Sequence, residues 1–247
     1  MKEYFHLCEI IFVSDPGGKI LKFHEEMLGP FAEKEQLIEK NFENLEKEQR
    51  TEKSVSEIKN IYEKYSRVRE FCINKITFAT GHEFSHPDLF LFVFLYREIT
   101  QVFNYAQTNP VKPGNPEILS TDDLKNMLSI KEERRTLAHI GDAALELGVL
   151  ASIWPPDTAT IPSKEFLHNE RNKLVGNIPL SEFWDSLQLY DSKTLIQYPD
   201  ENVETKGSCM EAVFGIIYLE GGLDSVEMSL KNLKNYYDEQ KTHSPPQ

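Results

Sequence analysis

The sequence predicts a mainly α-helical fold, on three observations. Apolar residues recur at spacings of three and four through most of the chain. Ser, Thr and Asp precede these stretches, where a helix N-terminus needs side-chain acceptors. Paired prolines and glycines stop them. The C-terminal half is nearly all of this kind, and an additional N-terminal region is mostly so.

Residues 9–23 place two short apolar runs around Asp15-Pro16-Gly17-Gly18, a turn signal that suggests a hairpin, with a helical pair as its rival. From Phe31 to about Tyr65 the chain is rich in Glu and Lys. Its apolar positions, among them Leu37, Ile38, Phe42, Leu45, Val55, Ile58 and Tyr62, predict one or two amphipathic helices. Val68 to Ala106 is more apolar, with PDLFLFVFLYREITQVF as a buried helix. Residues 107–118 hold Pro110, Pro113, Gly114 and Pro116 and read as a linker. It divides an N-terminal region, 1–110, from a domain over 117–240, with a tail at 241–247.

Ser120 or Thr121 can cap a helix through Leu124, Met127 and Leu128, with Asp122 and Asp123 in its first turn. A long helix covers about Lys131 to Ile153, stopped by Pro155-Pro156. Ser163 caps the next, through Val175, and Ser181 to Leu189 suggests another. Thr205 to Leu219 is strongly apolar and leads into Gly221-Gly222, then an amphipathic last helix to about Tyr237.

Composition narrows the function classes. Formal charge is −13, and residues 117–247 carry 12 Lys and Arg against 22 Asp and Glu. Phosphate contacts from basic side chains supply most non-specific affinity for nucleic acid, so this balance argues against a strong stand-alone RNA binder. It leaves room for a site where cations offset carboxylates. Cys8, Cys72 and Cys209 are too few and too scattered for a disulfide framework or a metal-ligand spacing, which makes a reducing compartment the default. No basic leader with a cleavage site opens the chain. The apolar run Leu89 to Leu95 is far short of the roughly 20 residues that span a bilayer. A cytoplasmic protein without a membrane segment is expected.

Two acids interrupt apolar helices. Asp142 sits in LAHIGDAALEL (137–147) beside Gly141, and Glu211 sits in GSCMEAVFGIIYLEGG (207–222) one turn before Gly215. A carboxylate among apolar neighbours is costly to bury, and glycine lets another backbone come close. Two helices crossing at these glycines would bring the acids face to face. Like charges so held need a cation, and carboxylate oxygens suit Mg²⁺ or Mn²⁺. An ion pair for each acid, with a base such as Arg135 or Lys206, satisfies the same pattern.

These segments resemble the ribonuclease III family, whose signature runs LExLGDAVLEL and later ADxFEALIGAIYLDGG. Leu137, Ile140, Gly141, Asp142, Ala143, Leu145, Glu146 and Leu147 match the first segment; Glu211, Ala212, Gly215, Ile217, Tyr218, Leu219, Gly221 and Gly222 match the second. Between them RNKLVGN (171–177) resembles the family's R-x-x-L-V-x-N, and SEFWDSLQL follows as expected. The likeness covers about residues 120–240. It implies a ribonuclease III-type helical domain, a metal-dependent endoribonuclease acting on double-stranded or structured RNA, and a homodimer with one site per subunit. The family's usual four carboxylates are reduced to two, with Ala138 and Ser208 in place of the others. The Mini-III branch of the family also carries non-acidic residues there, and it too lacks a double-stranded-RNA-binding domain.

The resemblance makes Asp142 and Glu211 the metal-binding and catalytic residues. Ser208 would orient a nearby water. His139, one turn before Asp142, is a core or dimer-interface histidine or a proton-transfer group. Arg134, Arg135, Arg171 and Lys173 are the expected phosphate contacts. Glu146, one turn after Asp142, can carry a salt bridge. The reduced ligand set also admits a non-catalytic module that binds RNA or assembles with proteins. His82 and His86 have an i, i+4 spacing, but Pro87 and the missing Glu argue against a zinc site.

Overall fold

A computed structural model of the chain describes residues 27, 29–31, 33, 60, 63–64, 66–95, 97, 99–101, 130–153, 161–189 and 202–243. The expected hairpin at 9–23, most of the amphipathic stretch 31–65, the linker at 107–118, the helix after Ser120 and the last four residues lie outside the described residues. Among the described residues every regular element is helical, as the sequence predicts.

A π-helical segment, Val68–Ile73, runs into α1, Asn74–Thr80, which ends at Gly81 with φ of 70°. Pro87 then opens a 3₁₀ turn, Pro87–Leu89, that leads into α2, Phe90–Phe94. The long helix α3, Ile130–Ile153, carries Glu132 and Glu133 in its first turn, where acids complement the helix dipole, and stops two residues before Pro155. Ser163 caps α4, Lys164–Val175, by accepting from the Phe166 amide at 3.1 Å. Such a cap contributes about 1 kcal/mol. Helix α5, Asn177–Ser186, begins four residues earlier than expected. Pro179 falls in its first turn, where the missing N–H has no intrahelical acceptor to lose.

The last element, α6, spans Val203–His243 and bends at Gly222, whose φ of 69° and ψ of −166° are open almost only to glycine. The bend falls at the Gly221-Gly222 break read from the sequence. No helix among the described residues is long and apolar enough to cross a membrane.

Among the described residues, helices α3 and α6 form the centre. Leu137, Leu145 and Val149 of α3 pack with Met210, Val213, Phe214 and Ile217 of α6, all of them fully buried. The run Leu89–Leu95 and Ile99 are buried in this same cluster, and Phe94 stacks on Trp184 of α5 with ring centroids 5.6 Å apart. Residues on both sides of the expected linker therefore share one core. Polar ties reinforce the join: Lys75 Nζ donates to the Gln188 carbonyl at 2.9 Å, and Asn232 Nδ2 donates to the Thr80 carbonyl at 3.0 Å.

Candidate functional site

The site is built where α3 crosses α6. A Cβ placed on Gly141 would overlap the Glu211 carbonyl oxygen and lie 2.7 Å from the Gly215 nitrogen; one on Gly215 would overlap the Leu137 carbonyl. Only glycine allows the two backbones to touch in this way. The contact puts Asp142, the next residue on α3, beside Glu211 on α6.

Electrostatics register that closeness. Burial first, and then the like charge of Asp142, push the Glu211 carboxyl up from its ordinary 4.5 to about 7, against the downward pull of Arg134 and Arg171. Glu211 is the more enclosed acid; the Asp142 side chain is 40% exposed, so the pair opens to solvent on the Asp142 side. A buried carboxylate that shares its space with a second one is stabilised by a cation. Among the described residues no group of three or more His, Cys, Asp and Glu comes together as ligands. Two carboxylates remain, a donor set that suits Mg²⁺ or Mn²⁺ with water and substrate oxygens completing the coordination.

Neither base named from the sequence as an ion-pair partner holds these acids. Arg135 pairs with Glu132 at 2.7 Å, and Lys206 pairs with Asp185 at 2.8 Å. The base that meets Asp142 is Arg171 from α4. Its Nη2 lies 3.4 Å from Asp142 Oδ1 and 2.7 Å from Glu146 Oε1. Glu146 thus carries a salt bridge, the role its spacing suggested. The expected signal for Arg171 was a phosphate contact; the structure turns it inward to two carboxylates of α3.

No family model, curated protein or solved structure matches this chain. What the site can do therefore rests on its own residues.

Arg134 was expected on the RNA-facing surface and is instead buried, with Nη2 donating to Cys209 Sγ at 3.3 Å. It faces inward because α6 packs over this side of α3, and its charge offsets that of Glu211. Arg135 and Lys173 are exposed, each in a surface pair with an acid one turn away, Glu132 and Glu170. Ser208 is half-buried, one turn before Glu211. His139 is exposed in this chain, which removes the core alternative for it.

A second cluster escaped the sequence reading. Glu220, with its side chain 2% exposed, accepts from the His86 amide at 2.6 Å and the Ser85 amide at 3.2 Å, and its Oε2 lies 2.8 Å from His82 Nε2. The histidines dismissed as zinc ligands belong to a loop that closes over a buried carboxylate beside the Gly221-Gly222 bend.

Proposed function

We propose that this protein is a divalent-metal-dependent endoribonuclease that hydrolyses phosphodiester bonds in double-stranded or structured RNA. The observation that carries the reading is the glycine-to-backbone crossing of α3 and α6, which sets Asp142 against Glu211. The order and spacing of the matching segments, from Leu137 to Gly222, support it from the sequence side.

Asp142 and Glu211 would hold Mg²⁺ or Mn²⁺. The ion would supply Lewis acidity toward a phosphoryl oxygen and make water a stronger acid near neutral pH. Glu211 binds as carboxylate, so a cation must displace the proton that burial favours. Arg134 lowers that requirement from the buried side. Ser208, half-buried one turn away, would hold a water by its hydroxyl. Arg135 and Lys173 are the bases best able to meet phosphates. Their present partners are exposed i, i+3 acids, and such pairs are worth only about 0–1 kcal/mol, so each is readily given up. A second copy of the chain would bring a symmetric site and allow both strands of one duplex to be cut.

A non-catalytic module is favoured by a different observation, the Arg171 guanidinium that already meets Asp142. One experiment separates the two. Purified protein should cleave a panel of duplex and hairpin RNAs in Mg²⁺ or Mn²⁺, and Asp142→Asn or Glu211→Gln should abolish cleavage. Folded wild-type protein that leaves the whole panel intact would end the enzyme reading.

A further inference from the structure

We propose that Arg171 is a movable counter-charge, holding Asp142 until a divalent cation arrives and then passing wholly to Glu146. The inference rests on the metal-site reading above and adds a device to it.

The geometry is asymmetric in the required way. One nitrogen, Nη2, serves both carboxylates. At 2.7 Å the Glu146 contact has the length of a good charge-assisted hydrogen bond, whereas 3.4 Å to Asp142 lies beyond the usual range. Asp142 is therefore the weakly held arm. Asp142 and Glu146 are four residues apart on α3 and share one face, so the guanidinium can shift between them with no helix movement. The other Arg171 contacts do not lock its pose. Nη1 reaches Asn172 Oδ1 at 3.3 Å, and buried Nε has no hydrogen-bond partner.

The surroundings give the shift a direction. Asp142, Glu146 and Glu211 supply three carboxylates, and Arg134 and Arg171 two guanidinium groups. With a divalent cation held by Asp142 and Glu211, the Arg171 charge would be driven from Asp142, and Glu146 would receive it one helical turn away. Glu146 is thus a positioning residue for the ligand Asp142, acting through Arg171. Without metal, Arg171 offsets part of the negative charge that the acids would otherwise leave exposed to each other.

Mn²⁺ binding to the full chain, without RNA, is the test, read by calorimetry or by the loss of free-ion electron paramagnetic resonance signal. Arg171→Gln should tighten Mn²⁺ binding by about threefold or more, because Asp142 is released. Glu146→Gln should weaken it by a similar factor, because Arg171 then has only Asp142 to hold. A simple field effect also gives those two signs, so the double variant decides. With Arg171 replaced, Glu146→Gln should lose most of its effect; an equal or larger effect overturns the proposal, as does unchanged binding in Arg171→Gln. Should Arg171→Gln fail to fold, Arg171→Lys keeps the charge but not the forked reach, and in that background the Glu146→Gln effect should again shrink. Wild-type binding that Asp142→Asn removes keeps the metal site whatever the cycle gives. Absence of Mn²⁺ binding in folded wild type overturns both.

Discussion

Gly141 and Glu211 meet backbone to backbone, with the Glu211 carbonyl in the space that a Cβ at position 141 would need. Gly141→Ala must push α3 and α6 apart, and overpacking of this kind costs about 1–3 kcal/mol or more. Gly215→Ala meets the Leu137 carbonyl and should behave alike. Denaturant unfolding should show both losses, while Gly29→Ala, whose Cβ would meet no atom within 4 Å among the described residues, should change little. Equal stability of Gly141→Ala and wild type would contradict the close crossing.

Glu211 sets a pH dependence of stability. Its folded-state value of about 7 lies above the ordinary 4.5, so between those values the folded chain holds a proton that the unfolded chain has lost. Unfolding free energy should therefore fall as pH rises from about 4.5 to 7, by on the order of 3 kcal/mol at most, less what solvent screens at this partly exposed group. Below that window the contribution is fully present, and above it fully lost. Glu211→Gln should flatten this segment of the profile. Asp142→Asn should move its midpoint downward, since Asp142's charge is one cause of the rise.

The buried Glu220 holds the loop at residues 82–86 to α6 through two backbone amides and His82. Glu220→Ala removes the charged acceptor shared by the Ser85 and His86 amides and His82, and hydrogen bonds to a charged group contribute about 1.5–3 kcal/mol. Glu220→Gln keeps the carbonyl-type acceptor and should cost less. A double-mutant cycle with His82→Ala should give a coupling of about 0.5 kcal/mol or more. Additive effects would show that the His82 contact contributes nothing of its own.

Gly222 adopts backbone angles that a side chain disfavours, and Gly222→Ala should cost about 1–3 kcal/mol through strain alone. Thermal melts will show it. A melting temperature as high as wild type would mean that the bend relaxes without penalty.

Local signals carried far in this chain. The Ser163 cap, the stop before Pro155 and the break at Gly221-Gly222 are written in neighbouring residues, because caps and bends answer to a few positions of sequence. Gly141 beside Asp142 and Gly215 one turn after Glu211 likewise marked the crossing of α3 and α6. What stayed hidden depends on partners distant in sequence. Arg134 reads as a surface base on a charged first turn, and only the packing of α6 buries it against Cys209. Arg171 is 29 residues from Asp142, and nothing near it says that it turns inward. Pro179 looks like a breaker until the start of α5 is known. The π-helical turn at Val68–Ile73 and the loop closed by Glu220 have no local signature at all.

The stacking of Phe94 on Trp184 has a practical consequence for anyone who trims this protein. A shortened chain starting near residue 117 would keep both acids yet strip the cover from Trp184, one of the largest enclosed side chains. Such a fragment should bind hydrophobic dyes and precipitate on concentration, and its inactivity would say nothing about catalysis.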